Sequence, residues 1–441
     1  MCVVKAPLLF LAGVILCASG LAAELDPDQL AYNLKTTAEA YEKVGRKNPK
    51  WDADAKSCLT AFAQMRSAAK GAGTQFQDKV RAVVPRLVED KCDDPLIGYL
   101  RCRFALSGSE ADVADAYAIS AGALQRSEYP EIRKFYALMW ACRWRANSNL
   151  LEQATEALAK ALADDSMPER EADESSEFLL SFPWWADGSR WNSYHTLEPA
   201  LTNRWKKASF ALLAKGRGYL SYAWQARGTG YANTVTERGA ELFTERLAIA
   251  ASALEAAWDG NPHDARICRE MMRVELGQGK GRERLETWFQ RGMRLEPSNT
   301  DLCYEKLEYL RPRWYGSVKE MIDFGRECTA NTNWSGGVRL MLADAHYEAS
   351  REIQDKEERA AYWKQPNVWK DVTFAYEQFF KLYPQEVGYR HNYAMYASRC
   401  GQWQEFLTQV KLFPSTNYAY FGGMDRFNEM VRYAQEHVKQ K

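Results

Sequence analysis

Histidine is scarce, no Cys-x-x-Cys pair occurs, and neither sign of charge is in excess; each shortfall closes off a class of function. The five histidines of the 441 residues are His195, His263, His346, His391 and His437. Without a Cys-x-x-Cys pair, neither a zinc ribbon nor a thioredoxin-type redox site is indicated. The 58 basic and 58 acidic residues cancel, so no surplus of Lys and Arg exists to displace phosphate counterions, and nucleic acid is not an expected partner. There is no His-Glu-x-x-His, no Gly-x-Ser-x-Gly and no phosphate-binding P-loop, so no catalytic or cofactor-binding residue is nominated. Asp344, His346 and Glu348 are the densest metal-ligand set. On a helix, residues two apart point about 200° from one another, so His346 faces away from both carboxylates and no metal site is nominated. Alternating, strand-like runs are rare, and beyond the first residues no stretch approaches the ~18 apolar residues of a membrane span.

What is present begins with a targeting segment. Lys5 supplies a positive charge, Ala6–Leu16 is apolar, and the residues from Cys17 to Ala23 are mostly small. This reads as a secretory signal peptide, residues 1–22, cleaved after Ala22. Eleven apolar residues fall short of the ~20 that cross a bilayer. Lipid attachment at Cys17 is disfavoured by the bulky Leu16 before it. The mature chain is therefore expected to be periplasmic or extracellular. Eight cysteines remain after cleavage, and an oxidising compartment permits disulfides. Cys303 with Cys328, on opposite arms of a hairpin turning near Trp314, and Cys58 with Cys92 are the candidate pairs.

From Leu25 onward apolar residues recur at spacings of three and four, as in Phe243, Leu247, Ala250, Leu254 and Ala257. Prolines fall where helices should stop, at Pro262, Pro297 and Pro384. Pro262 and Pro297 are 35 residues apart, and five residues before each stands a small one, Ala257 and Gly292. Eight residues before each stands a large apolar one, Leu254 and Phe289. Two close-packed antiparallel helices need that alternation at their crossing, and the pattern resembles a degenerate tetratricopeptide repeat. Arg227-Gly-Thr-Gly-Tyr231 reads as a tight turn into a helix capped by Thr234, with Glu237 three residues on.

The strings Trp224-Gln-Ala-Arg-Gly-Thr-Gly-Tyr-Ala, Trp314-Tyr-Gly-Ser317 and Arg390-His-Asn-Tyr393 resemble a group of exported bacterial helical-repeat proteins. That resemblance implies fold and compartment and little chemistry. The expected fold is all-α, stacked antiparallel helix pairs in a tetratricopeptide-like α-solenoid. Residues 164–177 hold seven carboxylates against Arg170 alone and read as a linker. They lead into an aromatic segment with Trp184, Trp185, Trp191 and Trp205. The expected domains are thus an N-terminal helical unit at 23–163, this linker and Trp-rich segment at 164–206, and a repeat domain at 207–441.

Function follows from the absence of chemistry and the presence of a repeat. The expected role is an exported, non-enzymatic scaffold holding a peptide or protein on a concave helical face. Glu270, Val274, Glu305, Tyr309, His391 and Met395 are the groove-facing candidates. They lack the Lys and Asn of a carboxylate clamp, so a cationic or aromatic ligand suits them better. The alternative is a glycan- or small-molecule-binding module that stacks its ligand on Trp184, Trp185, Trp191 and Trp205.

Overall fold

The computed structural model describes residues 25–69, 71–181, 189–230 and 232–438. The expected signal peptide, Trp184 and Trp185 lie outside the described residues. The chain divides into two compact units, Met1–Thr229 and Gly230–Lys441. Among the described residues the secondary structure is helical, apart from one isolated bridge between Leu25 and Ala68. None of the described helices is long and apolar enough to cross a membrane.

The first unit starts with α1 (Pro27–Thr36), α2 (Ala38–Val44), α3 (Asp52–Ser67) and α4 (Thr74–Glu89). It continues with α5 (Pro95–Phe104), α6 (Glu110–Gln125), α7 (Glu131–Trp144) and α8 (Ser148–Leu162). It ends with α9 (Glu169–Leu180), α10 (Ser189–Arg204) and α11 (Ser209–Arg227). Local chemistry sets the starts. Asp26 and Asp94 accept amide hydrogens at the mouths of α1 and α5, each followed by a proline preset for the first turn. Ser109 and Asp112 form a reciprocal capping box at α6. The pairs α3–α4, α6–α7, α7–α8 and α10–α11 pack side by side.

The acidic stretch is not a linker. Most of it is α9, and it lies inside the first unit. Glu171 is fully buried, where it accepts from Gln29 Nε2 and, at 3.1 Å, from Arg66 Nη2. Nearby, the buried Arg133 donates to Asn33 Oδ1 at 2.7 Å and to Thr36 Oγ1 at 2.8 Å. Burial alone would raise the Glu171 carboxyl, but the guanidiniums of Arg66 and Arg133 more than reverse this and hold it below its ordinary value. The residues before α9 are tied down as well, since Arg204 donates to the carbonyls of Asp164, Asp165 and Met167.

The second unit comprises α12 (Glu237–Gly260), α13 (Ala265–Gln278), α14 (Arg282–Leu295) and α15 (Thr300–Tyr309). After these come α16 (Val318–Ala330), α17 (Met341–Glu352), α18 (Lys356–Trp363) and α19 (Pro366–Leu382). The last three are α20 (Tyr389–Arg399), α21 (Trp403–Val410) and α22 (Met424–Val438). The 35-residue step of the sequence is the step from the start of α13 to the start of α15. Pro262, Pro297 and Pro384 each stand two residues beyond a helix end. Adjacent helices pair as α12–α13, α13–α14, α16–α17 and α20–α21, and α13, α15, α17 and α19 meet one another across the pairs. This is a tetratricopeptide-like helical-repeat arrangement.

The small residue at the crossing is a packing requirement. A Cβ on Gly292 would stand 2.5 Å from Leu302 Cδ1 and 3.2 Å from Cys268 Cβ. On Gly325 it would meet the backbone of α17, 2.7 Å from Leu342 Cα. One cap differs from expectation: α12 is opened by Thr236, which accepts from Gly239 N–H, because residues 232–234 form a separate 3-10 turn.

Candidate functional site

The α13, α15 and α17 helices share a face written almost entirely in carboxylates and guanidiniums. Asp264 and Asn299 cap α13 and α15 and so fix the helical phase of these side chains. Arg273 pairs with Glu270 at 3.0 Å, and Arg269 reaches Asp301 at 2.9 Å and Glu305 at 3.2 Å on the next helix of the row. Arg311, buried just after α15, meets Glu308 at 2.9 Å and Glu348 at 3.3 Å, while Arg351 holds Glu348 at 3.0 Å. A cleft of about 250 Å³ opens between α15 and α17, walled by Tyr304, Glu305, Leu307, Glu308, Arg311, Glu348 and Arg351.

Two carboxyls here are pushed above their ordinary range. Glu305 is raised by burial, against the pull of Arg273 and Arg269. Asp344 is raised by burial too, although it accepts from Tyr304 Oη at 2.7 Å and from Tyr396 Oη at 3.0 Å. The neighbouring His346 and Glu348 turn to other partners. His346 contacts Tyr362 at 2.7 Å and Asp371 at 3.2 Å, and Glu348 goes to the arginines. No group of metal-ligating side chains gathers among the described residues.

Of the expected groove residues, Glu305 lines the cleft and Glu270 sits buried against Arg273. Glu270, buried and outside the cleft lining, requires correction, as do the other four. Val274 is core. Tyr309 is buried because the turn after α15 folds Tyr315 onto it, ring centroids 4.8 Å apart. His391 is covered by the segment after α21, with Phe413 stacked on its ring at 3.9 Å and Ser415 O 3.2 Å from Nε2. Met395 packs against the cluster of Phe406 and Phe421. Counting four residues along a helix finds one stripe, but in a stacked repeat that stripe is partly claimed by the next pair.

The tryptophans are also committed within the protein. Trp191 stacks in parallel on Tyr222 at 4.0 Å and against His195 at 5.4 Å. Trp205 is buried against Phe210, donates its indole N–H to Leu162 O at 3.2 Å and carries Arg204 over its ring. As ligand-stacking platforms these two are therefore corrected to packing residues. The eight described cysteines are free thiols, so the expected bridges are absent. Cys303 and Cys328 do sit within hydrogen-bond reach in the α15–α16 core. Burial pushes Cys58 to about 12 and Cys92 to about 11, which keeps both as thiols at neutral pH.

Tyr304, Glu308, Arg311 and Arg351 escaped the sequence reading, and Asp344 and Glu348 were weighed there only as metal ligands. The signal was available as Tyr304, Glu305 and Glu308 on one helix and as the four-residue step from Asp344 to Glu348 on the next.

No family model matches the chain, and neither does any curated protein. Among solved structures it is similar to the human IFIT1 dimer with PPP-AAAA, at 14% identity and a TM-score of 0.32. That match covers 87% of this chain and 77% of the other. A likeness this slight brings neither ligand nor role to the present chain, and its helical-repeat architecture stands on its own helices.

Proposed function

We propose that the chain is an exported, non-enzymatic helical-repeat scaffold that holds a peptide or protein partner on the α13–α15–α17 face. The observation that supports this reading is the cleft between α15 and α17, a polar recess with its charged walls held in place by ion pairs. Ordered charge on a rigid repeat surface favours specificity and encounter rate, which a scaffold needs and a fold core does not. Export rests on the signal-like first 22 residues, and the periplasm or the exterior is the proposed location. The glycan alternative loses support because Trp191 and Trp205 are already packed.

The test is photo-crosslinking from the cleft. A crosslinker replacing Arg351 should trap a defined protein from envelope extract, and Glu305→Ala/Glu348→Ala should abolish the adduct. A crosslinker at exposed Ile119 of the first unit serves as the control. Identical adducts from both positions, or adducts that survive the double substitution, would refute the assignment.

A further inference from the structure

Between α21 and α22 the chain lays a strap, residues 411–423, over the start of α20. Lys411 is its only charged residue, and Pro414 offers no N–H. Its backbone hydrogen bonds are local, joining it to the end of α21, to the start of α22 or to itself. Beyond these, among the described residues, its hydrogen bonds to the rest of the second unit converge on one ring. Asn417 N–H donates to His391 Nε2 at 3.2 Å, and Ser415 O lies 3.2 Å from the same nitrogen. Phe413 stacks on that imidazole at 3.9 Å and Tyr420 at 5.5 Å. At the far end of the strap Gly422 and Gly423, at φ +84° and +114°, supply a hinge.

A neutral imidazole fits this cradle. With its proton on Nδ1, 3.3 Å from Gly388 O, the ring keeps on Nε2 the lone pair that Asn417 N–H needs. A second proton turns Nε2 into a donor. Asn417 N–H then loses its acceptor, and a positive charge is enclosed at a residue only 6% exposed. Burial holds His391 below the ordinary histidine value, against the pull of the Gly388 and Ser415 carbonyls. No charge nearby reverses this. The titratable groups on the elements packed here are Tyr376 on α19, Tyr389 and Arg390 on α20, Glu405 on α21, Tyr420 on the strap and Asp425 on α22, and none acts on the ring as a charge. Arg390 and Glu405 are both engaged by Gln409, at 3.0 and 2.7 Å. Lifting the strap returns the ring to water and to its ordinary value, so proton uptake favours the lifted form.

We propose that the strap is an acid-released cover, pinned to α20 by neutral His391 and lifted when that ring takes up a proton. What it uncovers is aromatic: the face of Phe413 that lies on the imidazole, the imidazole itself and the ring of Phe421 beside it. Leu412, Tyr418 and Tyr420 are exposed on its outside already, so acid enlarges an apolar surface of the second unit. The inference goes beyond the scaffold reading and does not depend on it.

The experiment is hydrogen exchange on the full chain at about pH 7 and about pH 5, each rate divided by the intrinsic amide rate at that pH. With 6.5 as the ring's value in the lifted form, linkage lets the protection of amides 415–420 fall by up to about twentyfold over that interval. A fall of at least about threefold is expected there, with α12, α13 and α14 unchanged. His391→Gln should abolish it. Strap protection that stays level in the parent overturns the inference, as does a fall that survives His391→Gln. An equal loss of protection throughout α19, α20, α21 and α22 marks unfolding of that region instead of a lifted strap, and overturns it too. Should His391→Gln fail to fold, His391→Phe, which keeps a ring against Phe413 and takes up no proton, is read by the same two outcomes. In the parent, the His391 ring protons followed by NMR should titrate with a midpoint below 6.5. A midpoint at or above that value refutes the inference without any variant.

Discussion

The two units are tied together over different distances along the chain. In the first, Glu171 takes hydrogen bonds from Gln29, 142 residues away, and from Arg66, 105 residues away. Arg133 reaches Asn33 across 100 residues. In the second, Arg269 meets Glu305 across 36 residues, Arg311 meets Glu348 across 37 and Tyr304 meets Asp344 across 40. These are single steps of the repeat. The second unit is therefore held by nearest-neighbour rungs, whereas the first is closed by a buried knot that joins α1, α3, α7 and α9. Disturbance should spread in the first unit and stay local in the second.

The sharpest way to break this comparison is Glu171→Ala. It removes the buried carboxylate that Arg66 and Arg133 neutralise, leaving Arg66 to Glu174 and Tyr136 and Arg133 to Asn33 and Thr36, and should cost about 3–5 kcal/mol. Hydrogen exchange should rise in α1, α3, α7 and α9 together; a rise in α9 alone would remove the contrast. Next comes Gly325→Ala, whose Cβ meets the backbone of α17. Overpacking there should cost about 1–3 kcal/mol, with exchange rising in α16 and α17 but not in α13 or α14.

Acid should separate the units as well. Burial pushes His346 and His391, both in the second unit, below the ordinary histidine value of 6.5. The unfolded chain then takes up the protons first, so stability is full above pH 6.5 and declines as pH falls below it. Asp371 beside His346 opposes the shift, Arg326 adds to it, and its direction is unchanged. Glu171, held below the ordinary glutamate value of 4.5, costs the first unit stability only as pH drops below that carboxylate range. Exchange measured from about pH 7 to 5 should rise in α17 and α20 while α3 and α9 stay protected, and His346→Gln should flatten the α17 response. The smallest effect belongs to Arg269→Ala, a half-exposed rung worth about 0.2–1 kcal/mol. A Tm change that persists in high salt would show that this rung is more than a screened surface pair.

The same difference in distance governs what the sequence discloses. The 35-residue step, the prolines beyond helix ends and Gly292 at a crossing could be read because each refers to residues no more than about one repeat away. The acidic segment could not. Seven carboxylates resemble a solvated linker until Arg66, Arg133 and Arg204 are placed around them, and nothing local says that they will be. The candidate site lies between these cases. Glu305 was legible from the helix phase, but Tyr309 turned inward under Tyr315 and His391 vanished beneath Phe413, because the covering residues belong to turns rather than to the repeat.

The single-step rungs also have a mechanical meaning. Pulled along the chain, the second unit should yield as a zip does, each helix pair parting at a modest force and leaving its neighbours seated. Relaxation should close it again from whichever pair remains. The knot around Glu171 gives the first unit the opposite temper: it should resist until one rupture releases four helices at once.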